Sequence, residues 1–188
     1  MRIPWRVIGS AAEANAFADE LAEAPIGRNA WTSIHNAIQL GLELLDRNNF
    51  VGGRRVIDVS GDGPNNIWGN VTLARDAAAA QGVTLNGLPI LNDRPGQLDV
   101  ADLDDYYREC VIGGPNAFLI AATFDSFAEA ILRKLILELA DAAPPAVPQL
   151  IPAQAGPFGA LPQPKYAPAC DIGERLRQLY TPGVALPP

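Results

Sequence analysis

Residues 54–66, "RRVIDVSGDGPNN", decide the fold. An apolar, β-branched run carries Asp58 and breaks at once into a loop holding Asp62, two glycines, a proline and two asparagines. A run of this kind bounded by turn residues reads as a strand. The oxygen-rich loop behind it is either a metal site at the carboxyl end of a sheet or a turn made of residues that favour turns.

Upstream, "TSIHNAIQLGLELL" at 32–45 has a helical stripe of Ile34, Ala37, Ile38, Leu42 and Leu45, capped by Thr32 or Ser33. Gly41 falls on the same face and permits close packing. "SAAE" at 10–13 is a capping box opening a helix that Pro25 stops, and "IPWRVI" at 3–8 reads as the end of a strand. Downstream, "NVTLARDAAAAQG" is a helix ending at Gly82, "VTLNGLPIL" a strand and "DVADLDDYYREC" a short acidic helix. "AFLIAAT" is a further strand and "FDSFAEAILRKLILELA" a last helix. Strands alternating with helices predict an α/β domain: a parallel sheet covered on both faces, over residues 1–143. "RRVIDVS", "VTLNGLPI" and "AFLIAAT" are expected to be parallel neighbours, with the last at one edge.

Eleven of the 17 prolines fall in residues 144–188, so this segment reads as an extended or disordered tail. "CDIGERLRQLY" at 170–180 could form a helical turn or two, but the tail is expected to be solvated and its deletion to change stability little. Cys110 lies in the body and Cys170 in the tail, so two unpaired thiols are favoured over a bridge. The single histidine, His35, argues against a zinc site of His and Cys ligands. A net charge of −7 argues against general nucleic-acid binding. No apolar run approaches the roughly 20 residues of a membrane span, and no signal peptide is visible, which taken at face value places the chain in the cytoplasm.

The blocks "TSIHNAI", "RRVIDVSGDGPNN", "ARDAAAAQGVTLNGLPI" and "YYRECVIGGPNAFL", with the last helix, resemble the von Willebrand factor A-like fold. More closely they resemble a bacterial branch of it, domain-of-unknown-function family 1194. The resemblance covers residues 1–141. It implies a three-layer, Rossmann-like sheet with a metal-ion-dependent adhesion site at its carboxyl edge. Such a site takes oxygens from a DxSxS loop, a threonine and an aspartate, which here match Thr32 and Asp62, with Asp58 and Ser60 behind them. Mg2+ suits such hydroxyl and carboxylate donors. The DxSxS loop and the strands that precede it have no counterpart before "IPWRVI". The resemblance therefore implies a domain lacking its amino-terminal third, weak Mg2+ binding by this chain alone, and a sheet edge at "RRVIDVS" open to association. A longer native amino terminus carrying a signal peptide would place it outside the cell.

"DVSGD" at 58–62 is itself similar to DxSxS, but Thr32 lies upstream of it and the elements that follow it are in the wrong order. "VIGGP" at 111–115 lacks the residues of a phosphate loop and reads as a turn. The implied function is an adhesion-type module that binds a protein partner through the metal face. A metal-assisted hydrolase using Asp58 and Asp62 is the alternative from a different class, since no Ser/His/Asp set stands in a credible order.

Overall fold

The computed structural model describes residues 3–25, 27, 31–67, 69–92, 100–139 and 169–180. Residues 1–30 form one compact unit and residues 31–188 a second.

In the first unit, α1 (Ala11–Glu23) starts with the predicted capping box. The Glu13 amide donates to Ser10 Oγ at 3.3 Å and the Gly9 amide to Glu13 Oε2 at 2.9 Å. The Gly9 and Ser10 hydrogen bonds hold the Glu13 carboxyl below its usual range. Arg6 pairs with Glu20 and lies 5.6 Å from the Phe17 ring centre. Residues 3–9 form no strand, contrary to the reading of "IPWRVI". Trp5, Val7 and Ile8 give the stretch an apolar, strand-like composition but are exposed, and no ladder partner lies beside them among the described residues.

The second unit holds a parallel sheet of three strands in the order β1 (Val56–Gly61), β2 (Thr84–Leu91) and β3 (Ala122–Thr123). β1 and β2 pair from Val56↔Thr84 to Gly61↔Pro89. The three predicted strands are thus parallel neighbours, with the last at an edge. β3 is shorter than "AFLIAAT". The Gly87 amide donates to Phe118 O and the Ile120 amide to Gly87 O, both at 3.0 Å, so pairing begins at Leu119. The next amide of β2 that would face β3 belongs to Pro89, which has none. The ladder skips it and resumes at Ile90↔Ala122. β1 has no second neighbour among the described residues, as the open edge requires.

Helices lie against both faces. On one, α2 (Ile34–Arg47) and α3 (Val71–Ala80) bury Ile34, Ile38, Val71, Ala74 and Ala78 with Val59 and Leu85. Gly41 lets α2 approach so closely that a Cβ there would sit 2.8 Å from Ile57 Cδ1. α4 (Leu103–Tyr106) runs into a π-helical turn, Tyr107–Val111, whose residues Tyr107, Cys110 and Val111 belong to this core. On the other face, α5 (Phe127–Leu139) buries Ala130 against Leu88, Ile120 and Ala122. No described helix is long and apolar enough to cross a membrane.

The carboxyl-terminal segment departs from expectation. Residues 172–180 form α6 (Ile172–Tyr180), and Cys170 is bonded to Cys110. Cys170 and Ile172 pack on the main core. Proline density hid this, because the prolines flank a proline-free amphipathic stretch. Residues 144–168 and 181–188 lie outside the described residues.

Two outcomes follow for stability. Joining residues 60 apart in sequence constrains the unfolded chain, so replacing both cysteines by alanine should lower the unfolding free energy by about 2–4 kcal/mol in urea titrations. Gly82 and Gly114 both have positive φ, +71° and +85°, but a Cβ on Gly82 meets nothing whereas one on Gly114 would sit 2.2 Å from the Val83 carbonyl oxygen. Gly82→Ala should therefore cost about 1 kcal/mol, the left-handed penalty alone. Gly114→Ala should cost about 3 kcal/mol or more, since backbone must also move. Equal losses would show that the turn at Gly114 relaxes freely.

Candidate functional site

At the carboxyl end of β1 the chain enters the loop Gly61–Gly69. Gly61 is needed because a Cβ would lie 2.8 Å from Tyr107 Oη. Asp62 is exposed, while Pro64 and Asn65 are buried. Asn65, 0% exposed, organises the loop. Its amide donates to Tyr106 Oη at 3.1 Å. Its Oδ1 accepts from the His35 amide at 3.0 Å, and its Nδ2 donates to Gly69 O at 3.0 Å and to Glu174 Oε1 on α6. Asn66 Oδ1 accepts from the Thr32 amide at 2.8 Å, and the Asn66 amide donates to Thr32 O at 2.9 Å. The Thr32 segment and the loop carrying Asp62 are thereby joined.

His35 has a local role. Its Nδ1–H donates to Asn70 O at 2.8 Å, and its ring lies where a Cβ on Gly69 (φ +81°) would come within 2.9 Å. Ser33 caps α2 by accepting from the Asn36 amide at 3.2 Å. Beneath the loop, Tyr106 and Tyr107 stack edge to face with centroids 6.1 Å apart. Burial raises both phenols above their usual range, and the Asp62 charge adds to the rise at Tyr107. Tyr107 Oη is buried with no hydrogen-bond partner among the described residues.

Asp58 faces elsewhere. It pairs with Lys134 of α5, a buried ammonium that also donates to Glu138 Oε1 at 2.7 Å. Asn86 Nδ2 donates to the same Glu138 oxygen at 2.9 Å. Burial pushes the Asp58 carboxyl up to about 6 against the pull of Lys134, and Glu138 adds to the rise. Burial opposes ionisation of Glu138 too, but hydrogen bonds from Lys134, Asp58 and Asn86 hold it below the usual range. Ser60 is exposed on β1, between the two aspartates.

A second oxygen cluster lies on α4. Asp102, Asp104 and Asp105 bring their carboxylate oxygens within 4.8 Å of one another and could hold a metal ion. Arg108 contacts Asp104 at 3.8 Å and also pairs with Asp105, which offsets part of that charge. A cleft of about 470 Å³, lined by Arg55, Thr84, Asn86 and Glu138 among others, opens at the amino ends of β1 and β2. Open α/β sheets bind ligands at the other end, outside the carboxyl ends of their strands.

The model of a family described as "Protein of unknown function (DUF1194)" matches residues 1–143. The chain belongs to this family. No curated protein and no solved structure matches it.

Several groups of this DUF1194 protein escaped the sequence reading. Lys134 was legible in hindsight: it stands on the apolar face of "AILRKLILEL", four residues before Glu138, where a cation is buried only if paired. Asp-x-Asp-Asp at 102–105 carries a signal of oxygen density, but the helical pattern alone does not distinguish it from an ordinary acidic helix. Glu174 had none, because its partner Asn65 is 109 residues away.

The Asp58 pair makes a pH prediction. The folded protein holds the Asp58 proton up to about pH 6, whereas the unfolded value is near 3.8. A raised carboxyl contributes stability that is present at low pH and lost as pH rises through the folded value. Glu138 has the opposite sign, but its contribution is lost only below its ordinary 4.5. Stability should therefore rise on acidification from about pH 7 to pH 5, and Asp58→Asn should flatten that segment of the urea-midpoint profile. A variant profile parallel to that of the native protein would assign the titration to another group.

Proposed function

We propose that this DUF1194 protein is a von Willebrand factor A-like interaction module with an incomplete metal-ion-dependent adhesion site formed by Thr32 and Asp62. The observation that carries the reading is the reciprocal pair of hydrogen bonds between Thr32 and Asn66, which ties the threonine segment to the loop of Asp62 at the carboxyl end of a parallel sheet. One hydroxyl and one carboxylate are few donors for Mg2+, which would keep most of its water. Bound there, the ion would supply an electrophilic point for a carboxylate of a protein partner. Asp58 and Ser60 stand behind the site on β1, Asp58 held by Lys134. That pairing disfavours the hydrolase alternative, in which Asp58 and Asp62 share an ion.

Two further features support an interaction role. α5 exposes a stripe of Leu132, Leu135, Ile136 and Leu139, and such patches mark interaction surfaces. The outer edge of β1 could also receive a strand. The Cys110–Cys170 bond supports residence in an oxidising compartment.

Calorimetric titration tests the metal reading. Mg2+ should bind weakly, with a dissociation constant of roughly a millimolar, and Asp62→Ala should abolish it. Binding that survives Asp62→Ala but disappears in Asp104→Ala would move the ion to α4, and sub-micromolar affinity would refute an incomplete site.

A further inference from the structure

We propose that α6 is a disulfide-locked cover on the Gly61–Gly69 loop, released by reduction of Cys110–Cys170. The inference rests on the reading of that loop as a ligand face only for what opening would expose. The lock itself stands on the contacts of α6.

α6 is seated on the loop at one glycine. A Cβ on Gly173 would lie 2.1 Å from Asn65 O and 2.9 Å from the Pro64 ring, so no other residue allows this approach. From the next position Glu174 reaches Asn65 Nδ2, and a turn later the Arg177 guanidinium lies 5.4 Å from the Trp31 ring centre. Gly173 and Arg177 are both buried. The cover thus closes over Pro64 and Asn65, next to Asp62.

The seat is costly to maintain. Glu174 Oε2 is buried with no hydrogen-bond partner among the described residues, which penalises docking, and the same burial raises the Glu174 carboxyl. α6 has nine residues, short of the roughly 12–15 that a helix needs to persist alone. The covalent bond supplies the missing hold by fixing Cys170, directly before α6, to the buried Cys110.

Release needs a dithiol reductant. One of its thiolates attacks the sulfur of Cys170, the half-buried partner; the S–S bond breaks and Cys110 leaves as a thiolate that takes up a proton. The second thiol of the reductant then displaces Cys170 and closes the reductant's own disulfide. Two protein thiols result, and two electrons and two protons have passed to the protein.

Amide hydrogen exchange on the full chain, oxidised and after dithiothreitol, tests the cover. Reduction should speed exchange of residues 172–180 and of Asn65 at least tenfold and leave Leu85–Leu88 in β2 unchanged. Protection of α6 that persists once alkylation shows both thiols free would overturn the proposal. So would equal loss in β2, which would make the bond a support of the whole fold. Gly173→Ala should give the same local opening with the disulfide intact, and an unchanged pattern would also overturn it. Mg2+ titration of both redox states reads the ligand face separately. Equal affinities alongside a released α6 would count against the metal reading of the loop and leave the cover standing.

Discussion

The side chain of Asn65 is the constraint on which the carboxyl end of the sheet depends. It is fully buried and uses its carbonyl and both N–H bonds, joining the start of α2, the end of its own loop and α6. Only an amide meets all three partners. An aspartate would accept from the His35 amide but could not donate to Gly69 O, and would set a second buried carboxylate against Glu174. Leaving such buried groups unmet costs about 1–3 kcal/mol each. The loop is therefore fixed by hydrogen-bonding chemistry more than by apolar packing.

This explains which parts of the structure were legible in the sequence. Periodicity revealed α2, β1, α3, β2 and α5, because each buries one face and the spacing of apolar residues records that face. The open edge at β1 was an expectation of the family resemblance, not of periodicity, and β1 is the terminal strand of the described sheet. Local pattern failed where a distant or single-residue effect decides. Pro89 shortens β3 from the neighbouring strand, and nothing within "AFLIAAT" announces it. "IPWRVI" has strand composition, but a strand needs a ladder. The Cys110–Cys170 bond and the Asn65–Glu174 contact span long separations, and a proline-rich flank argued against both.

Within the candidate site, the NN dipeptide after "GDGP" was legible as loop structure, and Asn65 and Asn66 hold the loop rather than extend from it. Asp58 was harder to read. Its position in β1 suggested a role behind Asp62, yet residues on a strand are also addressed by the helix that crosses the same face. Lys134 lies on that helix. One ammonium shared by two adjacent carboxylates favours keeping a proton on one of them, which is why Asp58 and Glu138 shift in opposite directions.

The same balance of restraints bears on Asp62. The loop is held from below by Tyr106, from the side by Thr32 and His35 and from above by α6, and each contact falls on Asn65 or Asn66 or on the backbone beside them. Asp62 is the exposed carboxylate between these anchors and the end of β1. Beneath it Tyr107 Oη is buried and without a hydrogen-bond partner among the described residues, a cost a packed core normally avoids. A loop held by hydrogen bonds at its far end presents an exposed carboxylate above an unmet phenol, which is the arrangement that the proposed binding role calls for.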